Sequence, residues 1–177
     1  MTKGAYSLDF LELANKRYSV RKFDGRPLSE SDVDKILAAG ICAPTAKNIQ
    51  PHRIFVVQSE EGIKKMNECS PCIYGAKTVF VICYDRTLCW CAGDGTRNSG
   101  EIDSTIVATQ MMLEAADVGA GTTMLLRYDR KMLREAIELP ENIVDVCLLT
   151  AGYPASDCEP SPRHTERKAI DEIVKFI

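Results

Sequence analysis

The chain lacks the features that would place it in a membrane or on a nucleic acid. Its 177 residues contain no apolar run approaching the ~20 residues that span a bilayer. No run of five or more basic residues occurs, and the formal net charge is −3, which argues against binding to the phosphates of a nucleic acid. Residues 1–7 lack the apolar core of a secretory signal. We therefore expect a cytoplasmic protein that binds neither membrane nor nucleic acid.

Histidine and tryptophan are scarce. The two histidines, His52 and His164, do not combine with other residues into a Ser–His–Asp or Cys–His set. The single tryptophan, Trp90, lies in a polar stretch, residues 85–100, that has no evident secondary structure. Because a connection of about 15 residues often covers a site, we expect this stretch to form a lid or a packed arm.

Cysteine, in contrast, is plentiful. Eight cysteines without an export signal are expected to be thiols. Cys69, Cys72, Cys89 and Cys91 leave open a four-thiolate zinc or iron–sulfur site, and the first two leave open a redox-active pair. The second pair is spaced by one residue instead of two, and a buried-strand pattern separates the pairs. We therefore predict no metal site.

The hydrophobic pattern predicts alternating helices and strands within a single domain, residues 1–177. Continuous apolar runs predict four strands covered on both faces, at residues 53–58, 77–84, 121–127 and 143–151. Helices are predicted behind Ser7, Ser29, Ser59 and Asp129, over residues 101–118, and as a final helix or tail over residues 167–176. Ile102, Ile106, Gln110, Leu113 and Asp117 would share one face of the longest helix, flanked by Val107 and Met111. Together these elements predict a three-layer α/β/α sandwich of undetermined strand order.

Two arginines and a serine alternate along residues 17–21. If this segment is extended, the side chains of Arg17, Ser19 and Arg21 point to one side. Such a strip suits a phosphate at one end and an electron-rich ring at the other, because guanidinium groups are planar, permanently charged donors. The alternative is a solvated basic patch after a helix.

Two further polar segments are candidate binding sites. The loop 44–51 carries Thr45, Asn48 and Gln50, whose side chains donate and accept hydrogen bonds as the edge of an isoalloxazine ring requires. The alternative is an ordinary polar turn. The basic cluster 163–168 could be a solvated end or a second phosphate clamp from a distant part of the chain.

Taken together, these segments resemble the flavin-dependent nitroreductase family from about Leu8 to Val174. Residues 17–23 resemble its R-x-S-x-R signature, and residues 43–51 resemble its A-P-S-x-x-N-x-Q-P loop. Residues 119–122 are similar to its G-x-G-T. The order and spacing of these pieces are specific.

The resemblance implies an α+β fold with a central mixed, mainly antiparallel sheet flanked by helices. It also implies an intertwined homodimer with two FMN sites at the interface. The expected activity passes hydride from NADH or NADPH through flavin N5 to a nitroaromatic, quinone or enone by a ping-pong mechanism. Two alternatives remain: a flavin-binding protein without turnover, serving as store, sensor or electron carrier, and a specialised reductase with one physiological substrate.

The resemblance also assigns roles to individual residues. Arg17 would bind the FMN phosphate or ribityl chain, with Arg167 or Lys168 closing on the phosphate. Ser19 would bind near the ribityl chain or ring, and Arg21 would face flavin N1 and O2 and tune the flavin. No catalytic residue is assigned with certainty. The other cofactor-binding residues are Tyr18 and Gln50; Pro44, Thr45, Ala46 and Asn48, which would reach the flavin of the partner; and Leu125 and Leu126, which would pass beside the ring near N5.

Overall fold

Four antiparallel strands form the centre of the protein. The computed structural model describes residues 9–177 and contains one sheet in the order β1-β2-β4-β3. Its strands are β1 (His52–Val57), β2 (Thr78–Asp85), β3 (Gly121–Leu125) and β4 (Ile143–Gly152). Neighbouring strands are antiparallel, and an isolated parallel bridge joins Ser19 to Thr122. All four predicted strands are confirmed, with ends within two residues.

Six helices surround this sheet. They are α1 (Phe10–Lys16), α2 (Glu30–Ile41), α3 (Glu60–Cys69), α4 (Gly100–Asp117), α5 (Arg130–Ala136) and α6 (Ile170–Ile173). The predicted caps of α2, α3 and α5 are confirmed, because the side chains of Ser29, Ser59 and Asp129 each accept a backbone N–H from the first turn. Asp9 caps α1 by accepting the Leu11 N–H, whereas the predicted cap Ser7 lies outside the described residues.

The helices form two layers, one on each face of the sheet. Strand β2 is buried along its whole length, and its side chains alternate between the two faces. Phe80 and Ile82 belong to one core, which α2 and α4 cover; Val79 and Val81 belong to the other, with α3 and α5. The three-layer sandwich is thereby confirmed, and each fully buried aliphatic side chain contributes roughly 1.5–3 kcal/mol to folding.

The C-terminal segment is mostly irregular. A short 3₁₀ turn, Pro162–Thr165, precedes α6, which covers only four of the residues predicted as a final helix or tail. Ile170 and Ile173 are exposed, so no tertiary packing extends the helix on this chain. Every helix within residues 9–177 is too short or too polar to span a bilayer. The eight cysteines are free thiols, as expected.

Candidate functional site

Two hydrogen bonds, one of them between main-chain groups, hold residues 17–21 against the start of β3. The Val20 N–H donates to the Thr122 carbonyl at 3.0 Å, and the Thr123 hydroxyl donates to the Val20 carbonyl. The Val20 side chain is buried over Gly121, where an added Cβ would lie 2.3 Å from Val20 Cγ2. Because side chains alternate along extended backbone, an inward Val20 leaves its neighbours free to project into solvent.

These neighbouring side chains share a cavity with the C-terminal segment. The cavity has a volume of about 550 Å³ and is named here the basic cavity. Its lining residues are Arg17, Tyr18, Ser19, Arg21, Ser161, Arg163, His164 and Arg167. The structure therefore brings the predicted Arg17 and Arg167 together, although they are far apart in sequence.

Contacts of the 3₁₀ turn fix the far wall of the basic cavity. His164 Nε2 lies 2.9 Å from the Asn15 carbonyl at the end of α1, and the His164 ring meets the Tyr18 ring edge-on at 6.1 Å. Arg167 Nη1 donates to the carbonyls of His164 and Glu166 at 2.6 and 2.7 Å. The C-terminal segment thus closes on the first helix.

The guanidinium groups in this cavity are not neutralised by the protein. Within residues 9–177, no carboxylate lies within 4.0 Å of a guanidinium nitrogen of Arg17, Arg21, Arg163 or Arg167. Four uncompensated positive charges around one concave surface attract an anion, and the planar donors suit the oxygens of a phosphate.

A tyrosine that sequence reasoning missed lies beside Arg21. The pKa of Tyr74 is raised above its usual value, first by a hydrogen bond with the Cys72 thiol and then by burial. The nearby Arg21 guanidinium opposes this increase in pKa. Tyr74 has a left-handed φ of 56°, an uncommon conformation for an aromatic residue. No periodicity or motif distinguishes Tyr74 in the sequence.

The second predicted binding segment, residues 44–50 (the 44–50 loop), has a strained backbone. Lys47, Asn48 and Gln50 have left-handed φ values of 51°, 55° and 56°. For non-glycine residues each such conformation costs roughly 1–3 kcal/mol and is commonly found at functional sites. The Thr45 hydroxyl oxygen accepts the Gln50 N–H at 3.0 Å, and the Asp103 carboxylate accepts the Ala46 N–H at 3.0 Å.

Not every predicted binding residue lies at the basic cavity of its own chain. Among the described residues, neither the 44–50 loop nor Lys168 contributes to the lining of that cavity. Leu125 is buried, with 6% of its surface exposed, whereas Leu126 is 74% exposed. Of the two leucines, Leu126 therefore has the side chain that is accessible to a ligand.

The stretch around Trp90 forms a short hairpin between β2 and α4. The Ser99 N–H donates to the Trp90 carbonyl and the Ala92 N–H to the Arg97 carbonyl, each at 2.9 Å. Trp90 is half-buried, as expected of a packed arm.

In the part of the chain from residue 9 onward, no three His, Cys, Asp or Glu side chains form a possible metal site. Burial raises the pKa of Cys69, which makes its thiol a poorer nucleophile.

An apolar groove runs along the outer face of α4. Its volume is about 560 Å³, and its lining residues are Phe10, Glu101, Ile102, Thr105, Ile106, Thr109, Gln110 and Leu113. Phe10 and Ile102 are 65% and 64% exposed. Of the residues predicted to share a helix face, Ile102, Ile106, Gln110 and Leu113 line this groove, whereas the flanking Val107 and Met111 face the core.

Comparison with known sequences identifies close relatives. A family model described as the nitroreductase family matches residues 14–71. A protein of Archaeoglobus fulgidus, provisionally named NADH dehydrogenase/NAD(P)H nitroreductase, is 32% identical over 154 residues, which cover 83% of this chain and 86% of that protein. A Staphylococcus aureus protein named NADPH-dependent oxidoreductase is 33% identical over 162 residues, covering 82% of this chain and 64% of that one.

Solved structures that share this fold include a member of the nitroreductase family. A nitroreductase family protein from Clostridium difficile 630 superposes with a TM-score of 0.89 at 32% identity, covering 96% of this chain and 98% of the other. A Staphylococcus epidermidis protein, provisionally named NAD(P)H:FMN oxidoreductase, superposes with a TM-score of 0.81 at 24% identity, with both chains fully covered. At that lower identity the second similarity shows the fold alone.

Proposed function

Since this chain belongs to the nitroreductase family, we propose that it is an NAD(P)H-dependent oxidoreductase that binds FMN and reduces a small organic acceptor. The proposal treats the chain as one FMN-binding domain. The observation that carries it is the basic cavity, where Arg17 and Arg21 from one end of the chain meet Arg163 and Arg167 from the other.

The residues of the basic cavity fit the phosphate end of FMN. Its volume of about 550 Å³ is in the range of small-molecule sites. A phosphate dianion would be bound by Arg17 and Arg167, with Arg163 adding charge. This third residue was not among those expected from the resemblance, although it belongs to the basic cluster 163–168 considered as a phosphate clamp. Lys168 is exposed and remains a candidate for closing over the phosphate.

The other end of the strip would tune the ring. FMN supplies the redox chemistry when bound, and the protein binds and orients it. Arg21 would place a permanent positive charge where reduced flavin carries negative charge, near N1 and O2. Tyr74 holds a hydroxyl beside this guanidinium, and Ser19 offers a hydroxyl between the two arginines. Tyr18 forms the wall of the cavity toward His164.

A second copy of the chain would complete the site. Pro44, Thr45, Ala46, Asn48 and Gln50 lie away from their own basic cavity, which suits residues that reach the flavin of a partner. The exposed apolar groove on α4 supports a homodimer, because large apolar patches are rarely left open to solvent. Leu126 is the exposed side chain nearest in sequence to β3 and would pass beside the ring.

The acceptor is proposed to be a nitroaromatic, a quinone or an enone, reduced by a ping-pong mechanism with NADH or NADPH as donor. An NAD(P)H donor and eight free thiols also support a cytoplasmic location. With no protein nucleophile required, donor and acceptor would use the same open space in turn.

The test begins with the purified protein. We expect a flavin absorption spectrum, FMN binding in calorimetry, and oxidation of NADH or NADPH that accelerates with menadione or a nitroaromatic. Parallel double-reciprocal plots with donor and acceptor both varied would support the ping-pong mechanism. FMN binding without acceptor-dependent oxidation of NAD(P)H would favour a flavin store or carrier, and absence of FMN binding would contradict the proposal.

A further inference from the structure

One buried carboxylate joins three separate parts of the molecule. Asp103 lies in the first turn of α4 and is only 2% exposed. Its Oδ1 accepts the Ala46 N–H at 3.0 Å, and its Oδ2 accepts the Ser99 hydroxyl at 2.7 Å. Ser99 in turn donates its backbone N–H to Trp90 at 2.9 Å. Asp103 therefore connects α4 to the 44–50 loop and to the Trp90 hairpin.

The hydrogen bond from the Ala46 N–H to the Asp103 carboxylate, called here the tie, joins the loop to α4. Among the hydrogen bonds of residues 9–177, two join the 44–50 loop to another part of the chain: this one, at 3.0 Å, and a longer one at the end of the loop, where Arg53 Nη1 donates to the Gln50 carbonyl at 3.5 Å. The other hydrogen bonds of these residues remain within the loop, such as Asn48 N–H to Thr45 carbonyl at 2.9 Å. A short segment with three left-handed residues needs such an external tie, because its own backbone preferences oppose the observed conformation.

The hydrogen bond between Ala46 and Asp103 is also stronger than one between two neutral groups, because its acceptor is a carboxylate. A carboxylate that accepts a backbone N–H forms a charge-assisted hydrogen bond, which is roughly twice as strong as one between neutral groups. Removing the carboxylate would leave the Ala46 N–H without its partner. Burying a carboxylate is costly in itself, so its presence here requires the compensating contacts that Ala46 and Ser99 provide.

We propose that Asp103 is a positioning residue whose buried carboxylate holds the 44–50 loop in the conformation that contacts FMN bound by a second copy of the chain. This inference rests on the proposed function. Asp103 acts through Ala46 and does not touch the cofactor itself.

Hydrogen exchange in FMN-free protein tests the tie by itself. Asp103→Ala should speed exchange of the Ala46 N–H by about 10-fold or more, the equivalent of losing one charge-assisted hydrogen bond. Asp103→Asn retains an oxygen that can accept this N–H and should restore most of the protection. Ser99→Ala is the matched control, because it removes the other hydrogen bond of the same carboxylate and should leave Ala46 protected.

FMN affinity then tests what the tie does. Asp103→Ala should weaken FMN binding at least several-fold, whereas Asp103→Asn and Ser99→Ala should bind FMN nearly as the unmodified protein does. If Asp103→Ala fails to fold, Ala46→Pro removes the same bond from the donor side. This variant is followed by exchange of the Asn48 N–H, which donates to the Thr45 carbonyl within the loop and should exchange several-fold faster; unchanged exchange there would overturn the tie. The extended Thr45 (φ −130°, ψ 158°) tolerates a following proline, and residue 46 is the first of its 3₁₀ turn.

Mixed dimers test action on the partner. Co-expression of Asp103→Ala with Arg17→Gln chains should produce heterodimers with one intact FMN site, made of the cavity of the first chain and the loop of the second. Calorimetry of the heterodimer, separated from the two homodimers, should therefore show half of its sites binding with normal affinity.

An unchanged exchange rate of the Ala46 N–H in Asp103→Ala would overturn the tie, regardless of the affinity of that variant for FMN. Faster exchange with unchanged FMN affinity, or heterodimers without an intact site, would overturn the positioning role. Failure of the unmodified protein to bind FMN would be seen separately; it would overturn the proposed function and, with it, the role of Asp103 toward the cofactor.

Discussion

The two segments of the candidate site are fixed in different ways. Residues 17–21 lie along β3 through a main-chain hydrogen bond from Val20 to Thr122, a hydrogen bond from the Thr123 hydroxyl and the buried Val20 side chain, so the fold of one chain is enough to place them. The 44–50 loop has left-handed backbone at three non-glycine residues and is tied to the fold by the carboxylate of Asp103. The first segment is held mainly by its pairing with β3, and the second mainly by one side chain from another element.

The two segments also differ in what they offer a ligand. The basic cavity presents four guanidinium groups without acidic partners, which favours binding of a charged phosphate. The loop presents hydroxyl and amide groups, which suit the edge of a ring. We infer that the cavity provides most of the affinity for the cofactor and that the loop provides its orientation.

The largest expected effect comes from neutralising the cavity. Arg17→Gln should weaken FMN binding roughly 10- to 100-fold, because it removes a charge-assisted contact with the phosphate. Calorimetry measures this directly. Lys22→Gln is the control, since Lys22 is an exposed cation nearby that is paired with Asp157. Equal losses in the two variants would show that only overall charge matters.

Displacing the first segment should be the next largest effect. Gly121→Ala introduces a Cβ that would lie 2.3 Å from Val20 Cγ2, and overpacking of this kind costs about 1–3 kcal/mol. We expect a lower melting temperature together with weaker FMN binding, measured by thermal unfolding and calorimetry. Gly93→Ala is the control, because nothing lies within 4 Å of the corresponding Cβ. A fully stable Gly121→Ala protein would contradict the close packing of this segment.

The stability of the protein should depend on pH through His52, which lies next to the 44–50 loop. His52 begins β1 just after the loop, and its buried Nδ1 has no hydrogen-bond partner within residues 9–177. Burial, and then the nearby Arg53, lower the pKa of His52 below its usual value of about 6.5. Its contribution to stability is therefore complete above about pH 6.5 and is lost as the pH falls through the folded pKa.

His52→Gln should flatten the dependence of unfolding free energy on pH below about 6.5, by at most about 1.4 kcal/mol per pH unit, the slope of one proton. Denaturant unfolding at several pH values measures this. Arg53→Gln should change the slope in the same direction but less. A steeper slope in His52→Gln would contradict burial of the neutral ring.

The smallest effect should come from the loop backbone. Lys47→Gly should stabilise the protein by up to about 1 kcal/mol, because glycine adopts the left-handed region without the cost that lysine bears at φ 51°. Chemical denaturation measures the change. Destabilisation by more than that amount would show that the lysine side chain contributes contacts that outweigh backbone strain.

The sequence predicted most of the fold for identifiable reasons. The strands are continuous apolar runs, and the caps at Ser29, Ser59 and Asp129 act through local hydrogen bonds that depend on neighbouring residues only. The final helix is shorter than its pattern because Ile170 and Ile173 have no surface to pack against on this chain. The local hydrophobic and capping pattern therefore predicted which helices and strands form, whereas tertiary packing determined where the last helix ends.

The candidate site was less accessible to sequence reasoning. The alternation of Arg17, Ser19 and Arg21 is visible, but their meeting with Arg167 depends on the path of the whole chain and was expected only from the family resemblance. Tyr74 carries no sequence signal. The left-handed backbone of the 44–50 loop could not be predicted either, since it occurs at residues other than glycine and is held by a contact with Asp103.

Comparing FMN with riboflavin tests the account most directly, because the two ligands differ only in the phosphate. We predict that the unmodified protein binds FMN much more tightly than riboflavin in calorimetry. In the Arg17→Gln/Arg167→Gln double variant this preference should largely disappear. Equal affinity for the two ligands in the unmodified protein, or a preference that survives loss of both arginines, would contradict the assignment of the basic cavity to the phosphate.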